Sequence, residues 1–197
     1  VTLEIKGCNV PKIARPAKAE RIRDEIRTLS EIVPYTFLSK VENVGRLEIN
    51  GGMDPSLLES ILSIVAEKNS NTISEMYIIN GMFAEEGYNV ENLPKALSKF
   101  HKLEILAVYH NRLENIGVVT EFPKLKVLDA RGNNLSQLPD IFRIPAKELY
   151  LSSNKFSRIP LLPRSVETVD LSYNMIEKIS SYQLGNLPNL NELNLKG

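Results

Sequence analysis

Histidine and cysteine supply many of the nucleophiles, general bases and metal ligands of proteins, and this chain contains only His101, His110 and Cys8. The histidines lie nine residues apart, a spacing that matches no metal-binding or general-base motif. Cys8 has no neighbouring base and is predicted to be a buried small hydrophobic residue. Phosphate-binding glycine loops and the Gly-x-Ser-x-Gly and His-Glu-x-x-His motifs are absent. We therefore predict no catalytic residues, no metal and no cofactor.

The composition narrows the classes of partner. Lysine plus arginine number 24 and aspartate plus glutamate also number 24, so the chain lacks the cationic surplus that drives binding to nucleic acid or anionic lipid. Its apolar stretches are too short to cross a bilayer. We predict no nucleic-acid binding and no membrane insertion. The single cysteine excludes an internal disulfide and favours an intracellular location, with a secreted or cell-surface location as the alternative.

The second half of the sequence is a repeat array. Four segments fit the template L-x-x-L-x-L-x-x-N-x-L, with inward apolar residues at the L positions and asparagine at the N position. Successive asparagines are 22, 21 and 20 residues apart, within the usual period of this template. A fifth copy begins at Leu190. The four segments begin at Leu103, Leu125, Ala146 and Val166, and their asparagines are Asn111, Asn133, Asn154 and Asn174.

The first half repeats the same apolar spacing more loosely. Units of about 29 to 30 residues begin at Val44 and Ile73, with glycine where asparagine is expected. Leu3 and Ile5 indicate one more unit. The interval before Val44 is too long for one repeat, and the segment from Pro16 to Ser30 has the apolar spacing of an amphipathic helix. We predict that this helix caps the array, with a partner-binding or membrane-surface helix as alternatives.

These repeats resemble those of the leucine-rich-repeat superfamily, well over residues 44–197 and weakly over residues 1–43. The resemblance implies an α/β solenoid, a curved right-handed arc whose concave side is a parallel sheet. It also implies two parts: an irregular N-terminal repeat and capping region over residues 1–43, and the repeat array over residues 44–197. The short C-terminal repeats look like those of some bacterial effectors and matrix proteins, and the long N-terminal units look like ribonuclease-inhibitor-like repeats.

The connections between repeats are expected to change along the chain. Asp54 and Pro55 form the start signal of a helix that Asn69 can close, and a second helix is predicted over about 93–100. After residue 115 the connections are shorter and contain prolines, which indicates extended or 3₁₀ segments. The repeated asparagines end the strands and are predicted to satisfy buried backbone groups of the turns.

Outward positions flanking the inward leucines should line the concave sheet. Four of the seven tyrosines fall there, beside an isoleucine that we expect to be exposed, a histidine and one arginine. Tyrosine and arginine are common at binding hot spots, although strand propensity alone also favours tyrosine in such a ladder. The predicted partner-binding residues are Tyr77, Ile79, Tyr109, His110, Arg131, Tyr150 and Tyr173.

The sequence therefore predicts a non-catalytic module that binds a protein partner on its concave face. Two alternatives stay open: the substrate-recognition or targeting part of a larger enzyme such as a phosphatase, ligase, kinase or cyclase, and an adhesive extracellular ectodomain. The last repeat stops after Leu193 and Leu195, which would have nothing to pack against. We accordingly expect the natural chain to continue, and its further parts are a candidate contact.

Overall fold

One parallel sheet runs through the part of the chain that the computed structural model describes, residues 2–6, 38–50, 55–79, 92–179 and 184–197. It has eight strands that follow each other in chain order, so each new strand is added beside the preceding one. The strands are β1 (Thr2–Lys6), β2 (Arg46–Asn50), β3 (Glu75–Ile79), β4 (Ile105–Ala107), β5 (Val127–Asp129), β6 (Glu148–Tyr150), β7 (Thr168–Asp170) and β8 (Glu192–Asn194).

The register of the sheet matches the predicted repeat. Leu106, Leu128, Leu149 and Val169 are paired side by side in adjacent strands, and all four are fully buried. In the loosely matching first half, the pairing continues from β4 through β3 and β2 to β1, where Leu3 lies opposite Leu47. The leucine-rich-repeat solenoid that the resemblance implies is confirmed, including the first strand.

The longest helix of the described connections lies near the N-terminus. This helix, α1 (Pro55–Asn69), begins at the predicted proline, ends at the predicted asparagine and buries Leu58, Ile61, Leu62 and Val65. Over residues 92–179 the connections contain only 3₁₀ helices, at Lys95–Lys99, Gly117–Glu121 and Ile141–Arg143. The prediction of extended or 3₁₀ connections after residue 115 is confirmed as far as residue 179, whereas Leu184 in the last connection is α-helical.

The second predicted helix, over about residues 93–100, is wrong in type and length. The structure has a five-residue 3₁₀ helix there, preceded by Pro94 and without a side-chain cap. Proline provides no backbone N–H and fixes the preceding chain, and the Phe100 side chain is completely buried immediately after the turn. This part of the connection is therefore one tight turn followed by an inward phenylalanine, and not a regular helix.

Between the sheet and the connections lies one continuous hydrophobic core. Its largest fully buried side chains include Phe100, Phe122 and Phe156, each from a different repeat. The core thins at the C-terminal end, where the inward residues of the last described coil are only partly buried. These are Leu184, Leu187, Leu190, Leu193 and Leu195.

The template asparagines form a ladder of hydrogen bonds beside the core. In each of three coils the amide oxygen accepts a backbone N–H from the preceding coil, and the amide nitrogen donates to backbone carbonyls of its own and the preceding coil. Asn111 makes the same donor contacts, and its amide oxygen is the buried side-chain atom without a partner among the described residues. The predicted role of these asparagines is thus confirmed.

A buried asparagine performs a similar task at the end of α1. The Asn69 amide oxygen accepts the backbone N–H of Val44 at 3.0 Å, and its nitrogen donates to the carbonyls of Val41 and Val65. It therefore ties the C-terminus of the helix to the residues that lead into β2. Several predictions fall outside the described residues: those for Cys8, Asp54, the helix from Pro16 to Ser30 and the glycines Gly52 and Gly81.

Candidate protein-binding surface

Strand alternation divides the sheet into two faces, one packed on the core and the other, the concave face, directed away from it. Ile79, Ile105, Ala107 and Val127 are apolar but do not belong to the core cluster or pack against it, which places them on the concave face. The concave face thus consists of three outward positions in each coil, and neighbouring strands align them in three rows.

The register defines these rows. The first row contains Arg46, Glu75, Ile105, Val127, Glu148, Thr168 and Glu192. The second row contains Glu48, Tyr77, Ala107, Asp129, Tyr150, Asp170 and Asn194. The third row lies two residues further along each coil and contains Asn50, Ile79, Tyr109, Arg131, Ser152, Ser172 and Lys196.

Arg131 occupies the centre of a cluster on this face. Its Nε donates to Asp129 Oδ1 at 2.9 Å and its Nη2 to Oδ2 at 2.6 Å, a two-point ion pair. The guanidinium carbon lies 5.7 Å from the ring centre of Tyr109 and 5.6 Å from that of Tyr150. The hydrogen bond to Asp129 raises the pKa of Arg131 further above its usual range. The arginine is thereby fixed between two aromatic rings.

Arg46 forms a second, similar cluster near the N-terminal end of the sheet. Its guanidinium carbon lies 3.9 Å from the centre of the Tyr77 ring, and its nitrogens pair with Glu75 at 3.1 Å and Glu48 at 3.4 Å. The Tyr77 hydroxyl is 3.3 Å from Glu75, and burial is the main cause that raises the pKa of this tyrosine. Both clusters combine arginine, tyrosine and carboxylate.

A tyrosine–glutamate pair recurs in the Arg131 cluster. The hydroxyl of Tyr150 donates to Glu148 Oε2 at 2.8 Å, and this hydrogen bond, together with burial, raises the pKa of Tyr150. The two residues are two apart on β6, as Tyr77 and Glu75 are on β3. Each tyrosine is therefore held by a carboxylate of its own strand.

The structure brings together three of the predicted site residues and corrects one. Tyr109, Arg131 and Tyr150 share one cluster, whereas Tyr77 belongs to the Arg46 cluster. Ile79 was predicted to be exposed, and this is wrong, because only 8% of it is accessible. Alternation places its side chain on the concave face, but it does not reveal how far the neighbouring strands cover it.

His110 and Tyr173 lie at the edge of the concave face, one residue beyond the third row. Both have positive φ angles, 55° and 54°, as do Gly132 and Ser153 at the equivalent position of the coils between them. The His110 ring meets the Tyr109 ring edge-on at 5.5 Å and covers Gly132. Tyr173 is 60% exposed, and no contact with the Arg131 cluster is present.

Carboxylates of the concave face were not singled out from the sequence. Asp129 and Glu148 lie two residues before Arg131 and Tyr150, so each pair shares one face of its coil. This spacing was available in the sequence as a signal. The same reasoning would have identified Glu75 beside Tyr77.

Within the described ranges, no group of three histidine, cysteine or acidic side chains is arranged to hold a metal ion. Among the same residues, no helix has the length and apolar content that a bilayer crossing requires.

Comparisons with known proteins agree with this geometry. A sequence model described as Leucine Rich Repeat matches residues 124–143. An adenylate cyclase of Schizosaccharomyces pombe is 28% identical over 85% of this chain, which spans 11% of the cyclase. A putative leucine-rich repeat protein of Acanthamoeba polyphaga mimivirus is 38% identical over 37% of the chain, spanning 17% of that protein.

A leucine-rich-repeat protein of Leptospira interrogans has a similar structure, with a TM-score of 0.65 at 19% identity over 98% of this chain and 48% of the other.

The parallel sheet, the asparagine ladder and these similarities show that the chain has the leucine-rich-repeat solenoid fold, with a matched leucine-rich repeat over residues 124–143. An internalin of Listeria monocytogenes shares the fold with a TM-score of 0.56, at 17% identity over 81% of this chain and 50% of that one. Folds of this class form extended concave surfaces that typically bind proteins, and this fold supports a protein-interaction module here.

Proposed function

We propose that the chain binds a protein partner on its concave face and acts there without catalysis of its own. The observation that carries this proposal is the cluster in which Arg131 is fixed by Asp129 between Tyr109 and Tyr150. Arginine and tyrosine dominate the residues whose truncation weakens protein interfaces most. Here they occur together on a sheet face, away from the hydrophobic core.

The cluster is also preorganised for binding. Tyr109 and Tyr150 are half-buried, and Arg131 is held by two hydrogen bonds, so little side-chain freedom remains to be lost when a partner arrives. The proposed contact patch consists of the two tyrosines, Arg131, Tyr77 and the covered Ile79. His110 and Tyr173 form its rim.

A quantitative pull-down from cell extract tests the proposal with a matched control. The double variant Tyr109→Ala/Arg131→Ala removes an aromatic–arginine pair from the concave face. The variant Phe142→Ala/Arg143→Ala removes the same kind of pair from the 3₁₀ helix on the opposite side, where the guanidinium lies 5.3 Å from the ring centre. We expect a partner that binds wild type and the second variant but not the first.

Equal retention by both variants would place the partner elsewhere and contradict the proposal. Both variants should first be shown to melt within a few degrees of wild type, because loss of fold would remove binding without locating it. Both substituted pairs are at least partly exposed, so their replacement is expected to be tolerated.

A second candidate function is the targeting segment of a larger enzyme. The observation that favours it is the similarity to an adenylate cyclase, which extends over 85% of this chain at 28% identity. In this case the concave face would recognise a partner while a catalytic domain elsewhere in the polypeptide acts. Determination of the complete coding sequence tests it: a cyclase or other catalytic domain on the same polypeptide is expected, and a reading frame that holds repeats alone would contradict it.

A further inference from the structure

The first row of the concave face has an ordered pattern across its central strands. In the register of β3 to β6, Glu75 lies opposite Ile105, Ile105 opposite Val127, and Val127 opposite Glu148. Two aliphatic side chains are thus bracketed by two carboxylates in one line perpendicular to the strands. Ile105 and Val127 are half-buried and lie outside the core cluster, which leaves their outer surfaces available for contact.

The spacing of this line matches one face of an α-helix. Neighbouring strands are about 4.8 Å apart, so the four side chains fall at about 0, 5, 10 and 14 Å. Helix residues i, i+3, i+7 and i+10 lie on one face and advance by about 0, 4.5, 10.5 and 15 Å. Same-face residues of an extended segment are about 6.7 Å apart and would leave this register after one step.

The charge of the concave face indicates the chemistry at the ends of the line. From β2 to β8, its three rows contain the cations Arg46, Arg131 and Lys196 and twice as many carboxylates: Glu48, Glu75, Asp129, Glu148, Asp170 and Glu192. The whole chain has no net charge, so this face is acidic although the molecule is neutral.

The two carboxylates at the ends of the line differ in their partners. Among the described residues, no lysine or arginine pairs with Glu148, which accepts a hydrogen bond from the Tyr150 hydroxyl. Glu148 therefore leaves a negative charge at its end, and Asp170 follows nearby on β7. At the other end, Glu75 pairs with Arg46 at 3.1 Å, and its side chain is 36% exposed, so a further cation can reach it.

From this geometry we infer that the partner presents an amphipathic α-helix that lies across β3 to β6, perpendicular to the strands. Its face carries lysine or arginine at i and i+10, which meet Glu75 and Glu148, and aliphatic or aromatic side chains at i+3 and i+7, which pack on Ile105 and Val127. The inference rests on the proposed function and adds the class of ligand: a basic-ended helical segment of a protein.

Selection from a displayed library of random sixteen-residue peptides against the full chain tests the inference without a known partner. We expect enrichment of peptides with basic residues ten apart and apolar residues three and seven places after the first. Selected peptides, synthesised and labelled, are then titrated against variants by fluorescence anisotropy. The variant Glu75→Gln/Glu148→Gln removes the charge from both ends of the line and keeps the side-chain shape.

The control variant is Glu121→Gln/Glu177→Gln, which makes the same change in net charge at exposed residues outside the three rows. The first variant loses two partly exposed ion pairs with the peptide, so its affinity should fall by about three- to thirtyfold. The affinity of the control should change little. The loss should diminish at high salt, since screening weakens the same interactions.

Two results separate the inference from the function on which it rests. Peptides that lose binding with Tyr109→Ala/Arg131→Ala, but have no basic ends or ignore the change at Glu75 and Glu148, would overturn the helix inference and leave the concave site intact. Selected peptides that bind both concave-face variants as well as wild type would contradict the proposed function itself. Enrichment of peptides with an extended, alternating pattern would also overturn the inference.

Discussion

Asn133 and Leu113 lie on neighbouring coils and are joined by a buried hydrogen bond: the amide oxygen of Asn133 accepts the backbone N–H of Leu113 at 3.0 Å. The amide nitrogen donates to the carbonyls of Val108, at 2.9 Å, and Ala130, at 3.0 Å. One side chain thus supplies both an acceptor and donors to backbone groups that have turned away from the sheet. The same arrangement recurs at Asn154 and Asn174, which makes it a property of the fold.

Replacement of Asn133 by alanine removes only a side-chain amide, but it should destabilise the folded protein. The Leu113 N–H would stay buried without its acceptor, at a penalty of about 1–3 kcal/mol in the free energy of unfolding. The control is Asn134→Ala, at the adjacent residue, whose amide makes only a long 3.5 Å contact with the Arg112 carbonyl. Urea unfolding followed by circular dichroism measures both, and similar losses in the two variants would refute the ladder's role.

In four successive coils, the residue directly after the third row has a left-handed backbone conformation. Substitutions at this position in two coils should change the stability in opposite directions. Gly132 has φ +63°, and a Cβ there would lie 2.6 Å from His110 Nδ1. Gly132→Ala should lower stability by about 1–2 kcal/mol, because residues with a Cβ are strained in this region. Ser153 holds φ 56° at the same position of the next coil, so Ser153→Gly should raise stability, by up to about 1 kcal/mol.

Thermal melting of the two variants is the measurement. The His110 ring can rotate away from the new methyl group, so backbone strain is expected to set most of the loss. If both variants shift the melting temperature in the same direction, the backbone conformation does not control stability at this position.

Most of the fold was predictable because its requirements are local and repeat. Every coil needs an inward apolar residue at the position of Leu128 and a hydrogen-bonding side chain at the position of Asn133. Both requirements therefore appear in the sequence as residues at a fixed spacing. Even the unit that contains β1 was predicted, from the spacing of Leu3, Ile5, Cys8, Val10 and Ile13, and its strand is present. The spacing of apolar residues and asparagine in one repeat is weak evidence for the fold, but the same spacing in several successive repeats is strong evidence.

Other features depend on neighbours that spacing does not reveal. The apolar residues over 93–100 fit a helical period, yet the structure has a 3₁₀ turn there, preceded by Pro94 and followed by the buried Phe100. Ile79 is directed to the concave face as alternation predicts, but its 8% exposure is set by adjacent strands. The pairing of Arg131 with Asp129 could have been predicted from their two-residue separation. The two tyrosines that flank Arg131 could not, because they come from other coils.

The phenylalanines of the connections contribute to the core in a way that one matched pair of substitutions can measure. Phe122 is fully buried just after the 3₁₀ helix Gly117–Glu121, whereas Phe142 is 51% exposed within the next one, Ile141–Arg143. Phe122→Ala should cost about 3–5 kcal/mol, the sum of lost burial and the cavity that remains. Phe142→Ala should change stability by about 0.5 kcal/mol or less. Equal losses in chemical unfolding would show that these turns are not packed against the core as described.

The Tyr150–Glu148 pair predicts how the concave face responds to alkaline pH. The hydrogen bond to Glu148 is the main cause that raises the pKa of Tyr150 above the ordinary tyrosine value of about 10. A group whose pKa is higher in the folded protein stabilises the fold fully below its unfolded pKa, and this contribution is lost as pH rises through the folded pKa. Phenolate absorbance should therefore show late-titrating tyrosines, among them Tyr77, whose pKa burial also raises, and Tyr150→Phe should remove one of them. Glu148→Gln removes the carboxylate charge and should move that titration to lower pH. If the late titration that Tyr150→Phe removes persists unchanged in Glu148→Gln, the carboxylate does not hold the hydroxyl, and the preorganisation of the Arg131 cluster would lose one of its supports.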